Sequence, residues 1–236
     1  MIYEKNFFGL RSARVVLDDD VALSAARSGR YARLEIISHH NLDLPGFTIQ
    51  FKQTGLIDLK GSLGEVLAKF NKTTRNEIAR TMNDTRFCFR MFSGLPKDIH
   101  VLYEEFERTL GHETPFPKEA LQGCISFGAY HDEKLIAGIY IFPSTPIARI
   151  RAIFSRRSKG SKVSFASRRL VYEICRWGLE NGRTAIDLAR VVTNEGPNFK
   201  MSFNPRVVPE YVYRRTTGVY AFLERARILG RKVMQV

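Results

Sequence analysis

IARIRAIFSRRSKGSKVSFASRRLVYEICRWGLENGRTAIDLARVVTNEGPNFKMSF, residues 147–203, decides how this chain is to be read. It parses as a strand (IARIRAIFS), a basic turn with a glycine (RRSKGSK), a helix (VSFASRRLVYEICRWGLENG), a second strand (TAIDLARVV) and a polar loop closing on NFKMSF. A helix that links two strands of one sheet makes them parallel, through a right-handed crossover. Where such strands splay beside a basic turn, a ligand can reach open backbone groups. The turn sets Arg156, Arg157, Lys159 and Lys162 at a helix start. Helix N-termini present unpaired N–H groups and about half a positive charge, which suits a phosphate or pyrophosphate. Taken alone, the turn also fits a solvated basic loop.

Upstream, residues 124–155 read as a meander. CISFGAY turns at 131–134 into LIAGIYIF, which turns at 143–146 into IARIRAIFS. Both turns are short, so antiparallel pairing is expected. Arg149 and Arg151 alternate with Ile150 and Ala152, which predicts a partly wet face on the last strand. Before the meander come a helix near 97–110, a strand RFCFRMF and a helix over 62–84. Ser62 and Glu65 form a capping-box pair at its start. Its apolar face carries Val66, Phe70, Ile78 and Met82, opposite Lys69, Lys72, Arg75 and Arg80. Residues 1–60 hold short strands (ARVVL, RLEIIS, FTIQF, LIDL) and one helix, from the acidic 18–20 to Gly29. Downstream, RVVPEYVYRR reads as a strand and AFLERARILGRKV as a basic amphipathic helix.

Composition narrows the class. The chain has 236 residues, 44% hydrophobic and 26% charged, enough for one large domain with a full core. No apolar run reaches a membrane-spanning length and no signal-peptide pattern opens the chain. Cys88, Cys124 and Cys175 lie in apolar patterns at wide spacing, which predicts buried thiols, a reducing compartment and a cytoplasmic protein. The five histidines are scattered without metal-ligand spacing, so no metal is expected. The net charge of +13 is segregated: residues 1–146 balance 18 Lys/Arg with 18 Asp/Glu, whereas residues 147–236 carry 19 against 6. That asymmetry favours a polyanionic partner: a nucleotide-containing cofactor, a nucleic acid or an anionic membrane surface.

Three segments resemble the GNAT acyltransferase superfamily in its Fem-related branch, which builds peptidoglycan bridges and cell envelopes. They are TGLIDLKGSLGEVLAKFNKTTRNEIARTMND, the meander with its following helix, and GRTAIDLARVVTNEGPNFKMSFNP, together spanning about residues 55–215. Asn204 stands where that branch has glycine, and RRSKGSK replaces a cleaner phosphate-binding turn. The resemblance implies an α/β (α+β) fold: a GNAT-like mixed, mostly antiparallel twisted sheet flanked by helices, with a splay between two central parallel strands. It implies one acyltransferase domain over 61–236, with 1–60 as an extension or the vestige of a first GNAT-like domain.

It further implies direct attack of an amine on an acyl thioester, with acyl-CoA as co-substrate. Backbone groups near Ile153, Phe154 and Ser155 would polarise the carbonyl, while Arg156, Arg157, Gly160, Ser161 and Lys162 would hold the pyrophosphate. Glu195 is the expected general base, ahead of Asp187, whose place in an apolar strand suits a hydrogen-bonding role. Lys200 is the expected anion-stabilising cation, and Tyr211 or Tyr213 the thiolate's proton donor. The acceptor would be an amine of an amino sugar, peptide or envelope precursor. The alternatives are aminoacyl-tRNA as donor, with tRNA as partner, and a nonenzymatic binder of nucleic acid or anionic membrane. The acyl group, acceptor and oligomeric state stay open.

Overall fold

The computed structural model of the protein describes residues 2–110, 121, 123–156, 161–191 and 199–233. The chain forms two compact units, Met1–Lys52 with Pro209–Val236, and Gln53–Val208.

The first unit holds β1 (Ile2–Phe7), β2 (Leu10–Val16), α1 (Asp19–Arg27), β3 (Arg33–Ser38), the outer part of β10 (Arg206–Thr216) and α6 (Gly218–Val233). The Asp18 carboxylate caps α1 by accepting from the Val21 N–H at 3.2 Å, as the acidic run predicts. β1 and β2 form an antiparallel hairpin that the sequence reading passes over. β2 and β3 pair in parallel across α1, and β10 adds antiparallel to β3. Val15, Ala22, Leu34, Ile36 and Tyr213 close a small core there.

The second unit contains β4 (Thr48–Asp58, from Gln53 on), α2 (Leu63–Ala68), α3 (Lys72–Asn83), β5 (Phe87–Phe92), α4 (Lys97–Thr109), β6 (Ile125–His131), β7 (Lys134–Phe142), β8 (Ile147–Ser155), α5 (Ser161–Glu180) and β9 (Ala185–Arg190). A short 3-10 helix, Lys200–Phe203, follows. Its strands run in the order β4-β9-β8-β7-β6-β5, antiparallel throughout except for β8 with β9. The fold class and the meander are as expected. FTIQF and LIDL join in one strand, β4, instead of two.

The helix anticipated over 62–84 is two helices. Ser62 and Glu65 do form the capping box of α2. Three residues past α2, Asn71 starts α3 afresh, its side chain accepting from the Thr74 N–H at 2.7 Å and its own N–H donating to Ser202 O at 3.1 Å. Phe70, 1% exposed, is pinned edge-on to Phe203 at 5.1 Å, so the chain changes direction to keep it buried. Met82, expected on the apolar face, is exposed as a result.

Helices cover both faces of this sheet. Val66, Ile78, Leu170 and Ile174 from α2, α3 and α5 pack with Ile139, Ile150 and Ile186. On the α4 side, Tyr103, Tyr140 and Phe154 form an aromatic trio with centroids 4.9–5.4 Å apart. Gly138 admits that trio: a Cβ there would lie 2.5 Å from the Phe154 ring.

Two further expectations need correction. Cys124 and Cys175 are buried, but Cys88 is exposed, because β5 turns alternate residues to solvent at the edge of this unit's sheet. Arg149 is buried, not wet, since Asp187 meets its charge at 2.5 Å.

Candidate functional site

β8 and β9 are zipped only at their beginnings. Their parallel pairing covers Ile147 with Ala185, Ala148 with Ile186 and Arg149 with Asp187, and stops there, although β8 continues to Ser155. β9 leaves β8 through an irregularity in its pairing with β4, between Thr54 and Leu56. Ala189 takes φ 58° at that point, a left-handed conformation unusual for a residue with a side chain. Asp187, fully buried, holds the irregularity in place. Its Oδ1 accepts from the Ala189 N–H at 2.7 Å and from the Thr54 hydroxyl, and its Oδ2 accepts from Arg149 Nη1 at 2.5 Å. An ionised carboxylate tolerates such a position because these three donors, one of them a guanidinium, meet its two oxygens. Past it, the Val191 N–H donates to Gln53 O at 3.1 Å, so the chain follows β4.

Among the described residues, then, no strand pairs with the far half of β8 on the side of β9. The Arg156 N–H donates to Ile136 O at 2.9 Å, which makes Phe154 and Gly138 the preceding hydrogen-bonded pair with β7. By strand alternation, the N–H groups of Ile153 and Ser155 face the other way, toward the side that β9 has left. A cleft of about 500 Å³ runs along this segment. Its walls are Ile153, Phe154 and Ser155 of β8 with Arg156 after them, Val163, Ser164 and Ser167 at the start of α5, Phe106 and Thr109 of α4 with Leu110 after them, and Phe199.

A polar cluster stiffens the α5 wall. Arg168 reaches Glu77 of α3 at 3.0 Å and Thr74 Oγ1 at 3.3 Å, donates to Ser164 Oγ, and lies 5.3 Å over the Phe199 ring. Arg156 is tied down as well, its Nε donating to Leu135 O at 2.7 Å. Sequence reasoning missed Ser164, Ser167, Arg168 and Phe199. The available signal was the polar 164, 167, 168 spacing on one side of an otherwise apolar helix start.

The structure brings Ile153, Phe154, Ser155 and Arg156 together along the cleft, and starts α5 at Ser161 with Lys162 beside it, both exposed. Arg157, Gly160 and Glu195 lie outside the described residues. Lys200 donates from Nζ to Arg190 O at 2.8 Å. Tyr211 belongs to the first unit, where its ring meets Phe51 at 5.7 Å and Tyr213 at 6.4 Å. The Tyr213 hydroxyl is a structural clamp: it accepts from the Leu42 N–H at 2.6 Å and donates to Asn41 Oδ1 at 3.1 Å. Asn204, the departure from the resemblance noted in the sequence, adopts φ 49° and ψ 51°. Asparagine enters this left-handed region more readily than most other side chains, so a position suited to glycine tolerates it. Among the described residues, no group of His, Cys, Asp and Glu could hold a metal ion, and no helix is long and apolar enough to cross a membrane.

No protein-family model matches the chain, and no curated protein does. Solved structures do. The DUF2156 C-terminal domain of the protein assigned as lysylphosphatidylglycerol synthetase in Agrobacterium fabrum aligns at TM-score 0.57 and 16% identity, over 97% of this chain and 85% of that one. L-PGS from Bacillus licheniformis gives 0.54 and 15%, over 91% and 80%. FemX gives 0.59 and 9%, over 94% and 85%. The chain thus shares its fold with FemX and with the lysylphosphatidylglycerol synthetase domain, in keeping with the resemblance that the three sequence segments carry.

Proposed function

We propose that the protein is an N-acyltransferase that moves an acyl group from acyl-CoA to an amine of an amino sugar, peptide or envelope precursor by direct attack. One observation carries this: the half of β8 that, among the described residues, β9 leaves unpaired lines a cleft at the start of α5. A thioester carbonyl laid along that edge would be polarised by the Ile153 or Ser155 N–H, preset donors that need no reorganisation as charge develops. The pantetheine arm would pair with the same edge as an added strand, and the pyrophosphate would rest on the turn at 156–162, on Arg156, Arg157, Gly160, Ser161 and Lys162. Glu195 as base, Lys200 as charge-stabilising cation and Tyr211 as proton donor remain the assignments to test, by Glu195→Gln, Lys200→Met and Tyr211→Phe. We place the activity in the cytoplasm and read residues 1–60 as the vestige of a first GNAT-like domain.

Aminoacyl-tRNA is the alternative donor. It is favoured by the fold shared with FemX and by the excess of 13 positive charges over residues 147–236. Thermal denaturation with CoA, acetyl-CoA and longer thioesters, beside charged and uncharged tRNA, separates the two. A shift with CoA species that Ser164→Trp abolishes, by filling the cleft, supports the first donor. A shift only with aminoacyl-tRNA supports the second, and no shift with either would remove the transferase assignment.

A further inference from the structure

We propose that α6 is a docking helix for an anionic lipid bilayer, entering the headgroup region by an apolar stripe that faces solvent. This inference stands apart from the chemistry of the cleft.

An amphipathic helix ordinarily turns its apolar side to its own core. α6 keeps only part of itself for that purpose. Tyr220 is 7% exposed with Arg33 5.9 Å over its ring, and Glu224, one turn on, pairs with Arg33. Those contacts fix which side of the helix meets the first unit. Val219 and Phe222 then point outward, 63% and 70% exposed, and Ala226 joins them in the same i, i+3, i+7 row. The same spacing in the sequence continues to Leu229 and Val233. An exposed phenylalanine and valine in one row mark a contact surface more than a chance exposure does.

Charge selects the occupant. Residues 218–236 contain Arg225, Arg227, Arg231 and Lys232 against Glu224 alone, and Glu224 is already engaged by Arg33. An apolar row on a helix whose sequence is rich in arginine is what interfacial binding needs: apolar side chains sink among acyl chains while cationic residues favour anionic headgroups. A second copy is disfavoured, because apposing two such helices would bring their arginines together in a chain already at +13.

The test uses the full chain and flotation with unilamellar vesicles of phosphatidylcholine, with and without 30% phosphatidylglycerol. The expected result is co-flotation with the anionic vesicles only, weakened by raising salt, and an at least tenfold lower partition coefficient for Val219→Ser/Phe222→Ser. Both residues are exposed, so the variant should keep its circular dichroism and melting temperature. Arg225→Gln/Arg227→Gln should lower binding and flatten its salt dependence. Failure to float, or flotation that the serine variant leaves unchanged, overturns the proposal, the latter by assigning binding to charge elsewhere. Concentration-dependent dimerisation lost in the serine variant would assign the stripe to a second copy, and overturns it too.

Discussion

Asp187 governs the point at which β9 parts from β8. Its three bonds join the last paired residue of β8 (Arg149), the neighbouring strand (Thr54) and the left-handed step at Ala189. Asp187→Asn should destabilise by about 3–5 kcal/mol, since removing one member of a buried pair leaves the Arg149 charge uncompensated. The double variant Arg149→Met/Asp187→Leu should recover part of that loss, and urea unfolding measures both. Glu35 makes a second buried carboxylate. Burial pushes its pKa up, but Arg14 at 2.6 Å and Arg214 at 2.9 Å outweigh burial and hold it below the usual carboxylate range. A depressed folded value means that its contribution is present above the unfolded value of about 4.3 and lost as pH falls through the folded one. Glu35→Gln should therefore flatten the decline of stability below about pH 4.5, followed by unfolding midpoints across pH. Thiol titration reads a third site. Burial pushes Cys124 up to about 12 and raises Cys175 further, whereas Cys88 is exposed. One thiol per folded chain should react quickly with an aromatic disulfide reagent, and three after denaturation.

Among the elements, the α2 and α3 pair shows a cap overruling a period. A single amphipathic pattern over 62–84 cannot register that Asn71 offers its carboxamide to Thr74 N–H while its own N–H goes to Ser202. Asn71→Ala should cost about 0.5–2 kcal/mol, the usual range for a lost N-cap. A larger loss would show that the Ser202 contact fails with it. β7 makes the opposite point. Gly138 sits in a strand interior, where glycine is unfavourable, because Phe154 fills the space a Cβ would take. Gly138→Ala should cost about 1–3 kcal/mol as an overpacked position. Because Phe154 also lines the cleft, ligand affinity should fall with stability. A stable Gly138→Ala chain with unaltered ligand binding would show that the Phe154 wall does not shape the site.

For the whole molecule, the uneven charge and the fold together set how the chain meets its ligands. A CoA thioester at about 100 times its dissociation constant should add roughly 2.7 kcal/mol, a melting shift of about 5–10 °C for a chain this long. The basic residues of 147–236 should also give weak RNA binding whose logarithm falls steeply with the logarithm of salt. A donor recognised in the cleft should instead keep most of its affinity as salt rises, which separates recognition from charge in one titration series.

What could be read without coordinates was local and periodic. The β8–α5–β9 crossover, the antiparallel meander and the Ser62 capping box announce themselves because spacing, helix ends and short turns are encoded within a few residues. The hairpin of β1 with β2, the break at Asn71, the burial of Arg149 and the exposure of Cys88 and Phe222 escaped that reading. The hairpin is local, but each of the others depends on a partner distant in sequence or on which face a neighbour leaves open. The primary sequence determined that two parallel strands would flank a cationic helix start. Where those strands separate, and which N–H groups turn toward the gap, only tertiary structure decided, because Thr54, Arg149 and Asp187 act on one another only after three separate strands have been brought side by side.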